Sequence, residues 1–243
     1  MNQLSKAVSI SLKDIESYYG KPPLITWGLL FPAVLMFAVY VKDPATYLAV
    51  APGIIAMTLL FGNTSMAAIV VTFEKRSGTL QRLLLAPVTN GTIVLGKAAS
   101  AAAYGVATSL VITWGLAFLL GMRVANPLVF GAGLLLGAGI FSLMGLIASV
   151  MVREVFEAMT LMNFLRFPIL FISGVFMPLD LLPAWVQPVA MASPLTYVVE
   201  LLRYGIEGRS YFQSLWIPVG AGVGFLIGTL LVAGPLFGRY ANR

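Results

Sequence analysis

Cysteine and histidine are both absent from this 243-residue chain. Their absence excludes disulfides, thiol nucleophiles, zinc sites built from Cys and His, and proteases that use a Ser–His pair. Charge is also scarce, because charged residues make up 10% of the chain, whereas soluble domains carry roughly 25%. Since 59% of the residues are hydrophobic, polar side chains are too few to cover a globule in water. The composition therefore predicts an integral membrane protein.

Long apolar runs predict an all-α architecture with six transmembrane helices. The predicted spans cover residues 24–41, 47–72, 93–120, 127–151, 158–177 and 215–237, with a polar turn at 42–44. Before them, residues 4–19 repeat apolar side chains every three or four positions, which predicts an amphipathic interface helix. Residues 178–209 contain several prolines and only short apolar runs, which predicts an outer re-entrant helical hairpin before the last span.

We interpret residues 1–243 as a single transmembrane domain. It divides into the interface helix (1–23), spans one to five (24–177), the re-entrant segment (178–209), and the last span with its tail (210–243). No small-residue cleavage site follows the first apolar run, so we expect Met1 to stay attached.

The chain has 15 Lys and Arg against 9 Asp and Glu, and the distribution of the basic residues predicts its orientation. They concentrate before the first span, in the loops after the second and fourth spans, and after the last span. Because basic loops face the cytoplasm, we expect a multi-pass protein of the inner (plasma) membrane with both termini in the cytoplasm. This reading accounts for the basic excess, and we expect no nucleic-acid partner.

Small residues recur at helical spacing inside two of the predicted spans. Gly133 and Gly137 form one four-residue repeat, and Gly220, Gly224 and Gly228 form another. Glycines at this spacing let helices approach closely in lipid, so we expect both repeats to serve helix packing.

The connection between the second and third spans carries the most informative pattern. It consists of a charged start, a helix break with an N-cap, a leucine face and a proline stop: Glu74; Gly78 and Thr79; Leu80, Leu83 and Leu84; and Pro87. Gln81 and Arg82 occupy the opposite face. The pattern predicts a short amphipathic helix, which either rests on lipid or seats in a groove of a cytoplasmic partner.

Two runs of sequence together resemble one transporter family. The first is Phe73–Pro87, in which a Glu stands four residues before Gly-Thr-Leu and a Pro follows the leucines. The second begins with Phe-Ile-Ser-Gly-Val-Phe-Met-Pro at 171–178 and continues with Leu-Pro-Ala-Trp at 182–185 and Ser-Pro-Leu-Thr-Tyr at 193–197. In this order, and on opposite sides of the membrane, the runs resemble the first cytoplasmic loop and the outer hairpin of ABC-2 type transporter permeases.

The resemblance implies a membrane subunit of an ATP-driven exporter. Such permeases work as two membrane subunits with two ABC ATPase subunits on the cytoplasmic face. We expect two copies of this chain to pair, and a pair of different chains stays open. The chain would not itself be an enzyme and would hold no cofactor, since ATP and Mg would be bound by the partner and no Walker-type phosphate loop is present. The exported substrate would be amphipathic, lipid-like, drug-like or a glycan.

The resemblance also implies roles for particular residues. The short helix would be the coupling helix that docks into the ATPase, with Glu74, Gly78, Thr79, Leu80, Arg82, Leu83, Leu84 and Pro87. The interface helix would be a second contact. The re-entrant hairpin would comprise Pro183, Trp185, Pro194, Tyr197, Glu200 and Arg203.

Two pairs within the hairpin carry expectations of their own. Glu200 and Arg203 lie three residues apart, so on a helix they would pair. Trp185 and Tyr197 would either join an aromatic belt at the outer interface or line an exit for an amphipathic or sugar-bearing substrate.

Arg166 is the one ionisable residue predicted well inside a span. A charge near mid-membrane costs on the order of 2.5–3.5 kcal/mol, so the side chain either snorkels to the cytoplasmic interface or faces a cavity between subunits. In the second case it would meet an anionic substrate group or a carboxylate, and Arg166, Phe167 and Phe171 would line the substrate path.

Two other functions stay open from the residues alone. An ion- or proton-driven secondary transporter or channel would require several ionisable groups inside the membrane as relays, and only Arg166 qualifies. An intramembrane enzyme would lack His, Cys and paired carboxylates at one depth. Both alternatives are therefore less well supported than the exporter.

Overall fold

The computed structural model describes residues 2–42 and 47–241. In these ranges the chain forms helices and turns without a strand, which confirms the all-α prediction there. The α-helices are α1 (Gln3–Tyr18), α2 (Pro22–Ile25), α3 (Phe31–Lys42), α4 (Tyr47–Arg76), α5 (Thr79–Leu84), α6 (Asn90–Leu120), α7 (Pro127–Met151), α8 (Val155–Ile172), α9 (Gln187–Met191), α10 (Pro194–Glu207) and α11 (Trp216–Ala241). A π-helical turn at Thr26–Leu30 joins α2 to α3, and a 3-10 turn at Leu179–Leu181 precedes α9.

Five of the described helices, α4, α6, α7, α8 and α11, are long and apolar enough to cross a membrane. A sixth crossing is present only if α1 and the helix that starts at Pro22 are taken as one span, and a bend of 93° separates those two helices. The structure therefore supports five to six spans. The polar turn predicted at 42–44 falls largely on residues 43–46, outside the described ranges.

α4 is the central helix of the bundle. Its most apolar stretch is completely buried, because α6, α7, α8 and α10 pack around it. Successive long helices alternate in direction, so their connections collect at two ends of the bundle. We call these the α5 end, where α1, α5 and the last turns of α11 lie, and the α10 end, where α9 and α10 lie.

Two of the predicted packing glycines bring helices close together. A β-carbon on Gly137 would lie 2.5 Å from Leu59 Cδ2, and one on Gly133 would lie 3.0 Å from Leu201 Cβ. This repeat therefore packs α7 against α4 and α10, as predicted. The prediction for the other repeat is wrong within this chain, because nothing lies within 4 Å of a β-carbon on residues 220, 224 or 228.

α10 fills the space between α4, α7 and α11 at its own end of the bundle. It begins in the interior, where the Ser193 hydroxyl accepts a hydrogen bond from Leu195 N and lies 2.6 Å from the Ser173 hydroxyl. It ends beside the start of α7, where the Gly205 carbonyl accepts from Asn126 N at 2.8 Å. Most of its side chains are buried, so α10 is part of the core rather than a surface loop.

Candidate functional site

α5 is a short helix held between α4 and α6. Gly78, with φ of +72°, turns the chain at the end of α4, in a left-handed conformation that glycine adopts without strain. Gly78 is the N-cap and Thr79 the first helical residue, one position from the predicted N-cap. The helix ends at Leu84, and the Pro87 carbonyl beyond it accepts a hydrogen bond from Lys6 Nζ of α1 at 2.6 Å.

The leucine face of α5 is directed toward the bundle. Leu80 is fully buried, and Leu83 and Leu84 pack half-buried against an apolar cluster to which α1, α4, α6, α7 and α11 contribute. Arg82 is exposed, and Leu85 just after the helix is 87% exposed. Because an isolated two-turn helix is marginal, the leucine packing is what holds α5 in place, and the opposite surface is the one open to a partner.

Four charged side chains meet beside the last turn of α4, three of them buried and one, that of Lys13, 43% exposed. We call Lys13, Asp14, Glu74 and Lys97 the buried charge cluster. The Asp14 carboxylate lies 2.9 Å from Lys97 Nζ and 2.8 Å from Lys13 Nζ. Glu74 contacts both lysines, with one carboxylate oxygen for each. The side chains of Asp14 and Glu74 are 0% exposed and that of Lys97 1%, so solvent screens the contacts of Lys97 with the two carboxylates very little.

The buried charge cluster joins three helices. Its members come from α1, from the last turn of α4 and from the second turn of α6. The contact extends to Ser100, whose hydroxyl donates to Asp14 Oδ2 at 3.3 Å and whose carbonyl accepts from the Tyr19 hydroxyl at 2.9 Å. α1 also packs on the backbone of α6, since a β-carbon on Gly96 would lie 2.8 Å from the Ala7 carbonyl oxygen. α1, α4 and α6 therefore form one packed unit next to α5.

The cluster is electrically balanced, with two lysines against two carboxylates. Burying an ion pair gains Coulomb energy but loses hydration energy, so the net gain in stability is small and the main effect is to fix the positions of the helices. Removing one partner, by contrast, leaves a buried charge unpaired and costs about 3–5 kcal/mol. Burial alone would lower the pKa of Lys13, but its hydrogen bonds to Asp14 and Glu74 outweigh burial and raise that pKa. The contribution of Lys13 is thus present below the ordinary lysine pKa of about 10.4 and lost only at higher pH.

Lys75 and Arg76 tie the end of α4 to the other helices at the α5 end. Lys75 Nζ donates to the carbonyls of Ser149 and Val152, which are free acceptors at the C-terminus of α7. The same ammonium lies 4.2 Å from the centre of the Tyr240 ring of α11. Arg76 pairs with Glu154 before α8 at 3.3 Å, and this pair is exposed. Motion of the α4 terminus would therefore reach α7, α8 and α11.

Arg166 lies inside the protein, between α8 and α4. It is 1% exposed, with its guanidinium carbon 4.9 Å from the centre of the Phe61 ring and Nη1 donating to Asn163 Oδ1 at 3.3 Å. Its Nε and Nη2 have no hydrogen-bond partner among the described residues. The side chain thus neither reaches an interface, as snorkelling requires, nor faces outward from this chain.

The energetic balance at Arg166 is unfavourable. A cation–π contact contributes about 0.5–2 kcal/mol, whereas an Arg at a helix centre costs about 2.5–3.5 kcal/mol to insert. The two phenylalanines assigned to the same path lie apart from each other: Phe167 packs 5.9 Å from the Phe61 ring, and Phe171 is exposed. The three predicted path residues therefore do not share one surface in this chain.

At the α10 end, the Glu200–Arg203 pair predicted from its spacing is present. The other oxygen of Glu200 accepts from the Ser210 hydroxyl and from Tyr211 N, at 3.0 and 2.6 Å. Arg203 Nη2 donates to the Gly174 carbonyl at 3.0 Å. The pair thereby links α10 to the segment that follows α8 and to the loop that follows α10.

The other predicted hairpin residues divide between surface and interior. Pro183 and Trp185 are exposed, Trp185 by 77%. Pro194 and Tyr197 are buried, and the Tyr197 hydroxyl donates to the Met191 carbonyl at 2.8 Å. The Tyr197 ring stacks on Phe212 inside the protein, so in this conformation it is covered by its own chain, and its role at an outer interface or exit stays a prediction.

Sequence reasoning missed four residues that the structure brings into these sites: Lys13, Asp14, Lys97 and Ser100. Their helical periodicity indicates only that Lys13 and Asp14 lie on the polar side of α1. One sequence feature could have indicated the buried charge cluster: Lys97 falls inside a predicted span, and no acidic residue lies near it in the sequence. In the described ranges no group of three acidic side chains is arranged to hold a metal ion.

Comparison with known proteins gives a consistent set of relatives. The family model of the ABC-2 type transporter matches residues 7–206. The inner membrane transport permease YadH of Escherichia coli K12 is 26% identical over 162 residues, covering 65% of this chain and 62% of YadH. The putative transport permease ycf38 is 27% identical in Cyanophora paradoxa, over 68% of this chain and 56% of that protein. In Pyropia yezoensis it is 26% identical, over 63% of this chain and 53% of that protein.

The match thus spans roughly three fifths of the length of these curated relatives. The family match covers most of the chain, including α5, the whole buried charge cluster, Arg166 and α10. Together with five to six apolar helices, it identifies a multi-pass membrane protein: this chain belongs to the ABC-2 type transporter family.

Proposed function

We propose that this chain is the membrane-spanning permease subunit of an ATP-driven exporter and that α5 is its coupling helix. The observation that carries the proposal is that the leucine face of α5 packs on the bundle, while the preceding turn of α4 is tied to α1 and α6 through Glu74. α5 is a small element that presents an outward surface, and its inner face is packed on helices that run the length of the bundle. A groove in a cytoplasmic ATPase is the kind of partner that such a helix fits.

The packing supports a rigid-body mechanism. Closure of an ATPase pair upon ATP binding would push on α5. Because α1, α4 and α6 are joined by the buried charge cluster, the push would move these helices together rather than bend one of them. α4 is the central helix, so the displacement would pass to the pathway between two permease subunits.

The remaining parts of the assembly follow from this proposal. Two ABC ATPase subunits would bind at the α5 end and would hold ATP and Mg, while this chain would bind no cofactor and would not be an enzyme. A second copy of this chain would complete the pathway. The α5 end and both termini would face the cytoplasm, across the inner membrane, and α1 would lie at the membrane interface as a second ATPase contact. The α9–α10 hairpin would re-enter the membrane from the outer side.

The substrate would be an amphipathic, lipid-like, drug-like or glycan molecule. Residues of α8, including Arg166, Phe167 and Phe171, would border its path. Phe171 supports this placement because it is 65% exposed on the surface of α8, which is open to a second subunit or to lipid. Phe167 and Arg166 lie behind that surface.

Co-purification tests the coupling proposal. The chain, purified from membranes of its own cells, should retain an ABC ATPase that mass spectrometry identifies and that hydrolyses ATP in detergent. The double variant Arg82→Glu with Leu85→Asp changes only the outward surface at α5 and should lower the recovered ATPase about tenfold or more. Asp at Leu83 or Leu84 is less informative, because it would also disturb packing on the bundle.

The control is Arg209→Glu, which repeats the charge reversal of Arg82→Glu at an exposed position of the α10 end. It should leave ATPase recovery unchanged. The proposal fails if the wild-type chain retains no ATPase, or if the α5 variant and the Arg209 variant retain it equally.

A further inference from the structure

We propose that Arg166 is the recognition residue for an oxyanion headgroup, a phosphate or a carboxylate, on the amphiphile that this protein transports. The inference rests on the proposed transport function and gives its substrate class. Four observations carry it: the free edge of the guanidinium, the lack of a protein counter-charge, the aromatic surroundings, and a weakened helix at this position.

The free part of Arg166 is the part that binds oxyanions best. Nη1 is engaged by Asn163, and the two nitrogen atoms without a partner are Nε and Nη2. The N–H groups on that edge of a guanidinium are parallel and match the two oxygens of a carboxylate or phosphate. The hydrogen bond to Asn163 thus orients the guanidinium while leaving its two-pronged edge available.

No acidic residue within 2–42 and 47–241 is placed to neutralise this charge. Asp14, Glu16, Glu74, Glu154 and Glu157 lie at the α5 end, and the nearest in sequence, Glu157, is nine residues away, about 13 Å along α8. At the α10 end, Glu200 is already paired with Arg203, and Asp180 and Glu207 are on connecting or terminal segments. Asp43, the remaining acid of the nine, lies outside the described residues.

A second copy of this chain would not supply the missing carboxylate either. Its described acidic residues occupy the same ends of the same helices, so none of these would lie at the depth of Arg166. An anion from outside the chain is therefore the group that would satisfy the free edge.

The surroundings of Arg166 suit the headgroup of an apolar molecule. Phe61 lies against the guanidinium, and Trp27, Phe31 and Phe167 pack around Phe61 with ring centres 5.1–6.1 Å from it. This aromatic cluster excludes water, which strengthens an ion pair formed there. It also provides an apolar wall for the chain of an amphiphile.

Access to Arg166 requires α8 to move away from α4. Pro168 lies within α8, two residues past Arg166, and a proline removes a backbone hydrogen bond from the preceding turn. Only 22% of the most apolar stretch of α8 is buried, against 100% for α4. Moving α8 away from α4 therefore disturbs little buried surface of α8, and this displacement exposes the guanidinium.

Lipid binding to the purified full-length chain tests the inference. The chain in nanodiscs of neutral lipid is titrated with dioleoyl phosphatidic acid, oleate or dioleoylglycerol, and bound molecules are counted by native mass spectrometry. One of the two anionic amphiphiles should bind about tenfold tighter than dioleoylglycerol, since charge-assisted hydrogen bonds are the strong ones. Arg166→Gln should remove that preference, and Arg166→Lys, which keeps the charge without the fork, should retain part of it.

Arg123→Gln, at an exposed position, removes one positive charge elsewhere and should leave the preference intact. Arg166→Gln removes an unpaired buried charge, so the melting temperature of this variant should not fall. If the melting temperature does fall, Arg166→Lys provides a second variant. Equal binding of the anionic and neutral amphiphiles, or an unchanged preference in both Arg166 variants, would overturn the inference. Inorganic phosphate that displaces the amphiphile at matched concentration would show a site for a free anion and would also overturn it.

These measurements require no ATPase. A negative lipid-binding result would therefore contradict the proposed substrate class without contradicting the coupling proposal. Failure of ATPase co-purification would contradict the coupling proposal without contradicting a positive lipid-binding result.

Discussion

Glu74 contacts a lysine from each of two other helices, and this makes it the residue on which the α5 end depends most. In the sequence motif, Glu74 stands four residues before Gly-Thr-Leu. The structure gives a physical reason for an acidic residue at this position. A Glu in the last turn of α4 reaches both Lys13 of α1 and Lys97 of α6. Its negative charge near the C-terminus of a helix is unfavourable in itself, so the two lysines are needed to hold it there.

Glu74→Gln should lower the free energy of unfolding by about 3 kcal/mol, because Lys13 and Lys97 would then share the single carboxylate of Asp14. The measurement is unfolding of the full chain in mixed micelles with increasing denaturing detergent. Glu74→Gln combined with Lys97→Gln restores the charge balance and should recover part of the loss.

Glu16→Gln is the matched control for this prediction, because Glu16 is exposed on α1. It should change stability by less than about 0.5 kcal/mol. A Glu74 variant as stable as the Glu16 variant would show that the buried charge cluster contributes no net stability.

The sequence predicted the helices better than it predicted the direction of their side chains. Hydrophobic runs located the five long apolar helices α4, α6, α7, α8 and α11, since a membrane helix must be apolar over its whole length. The contact of Asp14 with Lys97, by contrast, joins residues 83 positions apart, and no local periodicity encodes it. The sequence pattern placed the leucines of α5 on one face of the helix. It did not tell whether that face contacts a partner or the protein's own bundle, because the face is equally apolar in both cases.

At the scale of elements, α4 is packed closely enough that glycine is required at particular contacts. A β-carbon on Gly53 would lie 1.9 Å from the Val175 carbonyl oxygen. That atom belongs to the backbone of the segment after α8, so it has no side-chain rotation by which to move aside. The contact fixes the end of α8 against the start of α4.

Gly53→Ala should therefore destabilise the chain by about 1–3 kcal/mol, the cost typical of overpacking. The control is Gly115→Ala in α6, where nothing lies within 4 Å of the added carbon and where alanine favours the helix by up to about 1 kcal/mol. Intrinsic tryptophan fluorescence during heating measures both melting temperatures. If the Gly53 variant melts at or above the Gly115 variant, the close approach is not present in the membrane.

At the scale of the whole molecule, charge is divided between two structurally different ends. The α5 end holds a balanced buried charge cluster and an exposed short helix, and the α10 end holds a buried hairpin fixed by one ion pair. This asymmetry is consistent with a protein that receives a mechanical input on one side and controls access on the other. The orientation of the ends in the membrane is directly measurable.

The absence of cysteine from the chain makes it a ready background for labelling. Arg82→Cys on α5 and Trp185→Cys near the α10 end both replace exposed side chains. In intact cells, a membrane-impermeant maleimide should label only the Trp185 variant, and after permeabilisation it should label both. Labelling of the Arg82 variant in intact cells would reverse the proposed orientation, and the unmodified chain should remain unlabelled throughout.

The buried charge cluster also constrains the order in which the protein is made. Asp14 leaves the ribosome 83 residues before Lys97, which at about 5–20 residues per second corresponds to roughly 4–17 s. During that interval α1 lacks the lysine of α6 that its carboxylate requires inside the fold. α1 is thus made before α6 but docks at its final position only after it, and the surface that would receive an ATPase is completed only after α6 has entered the membrane.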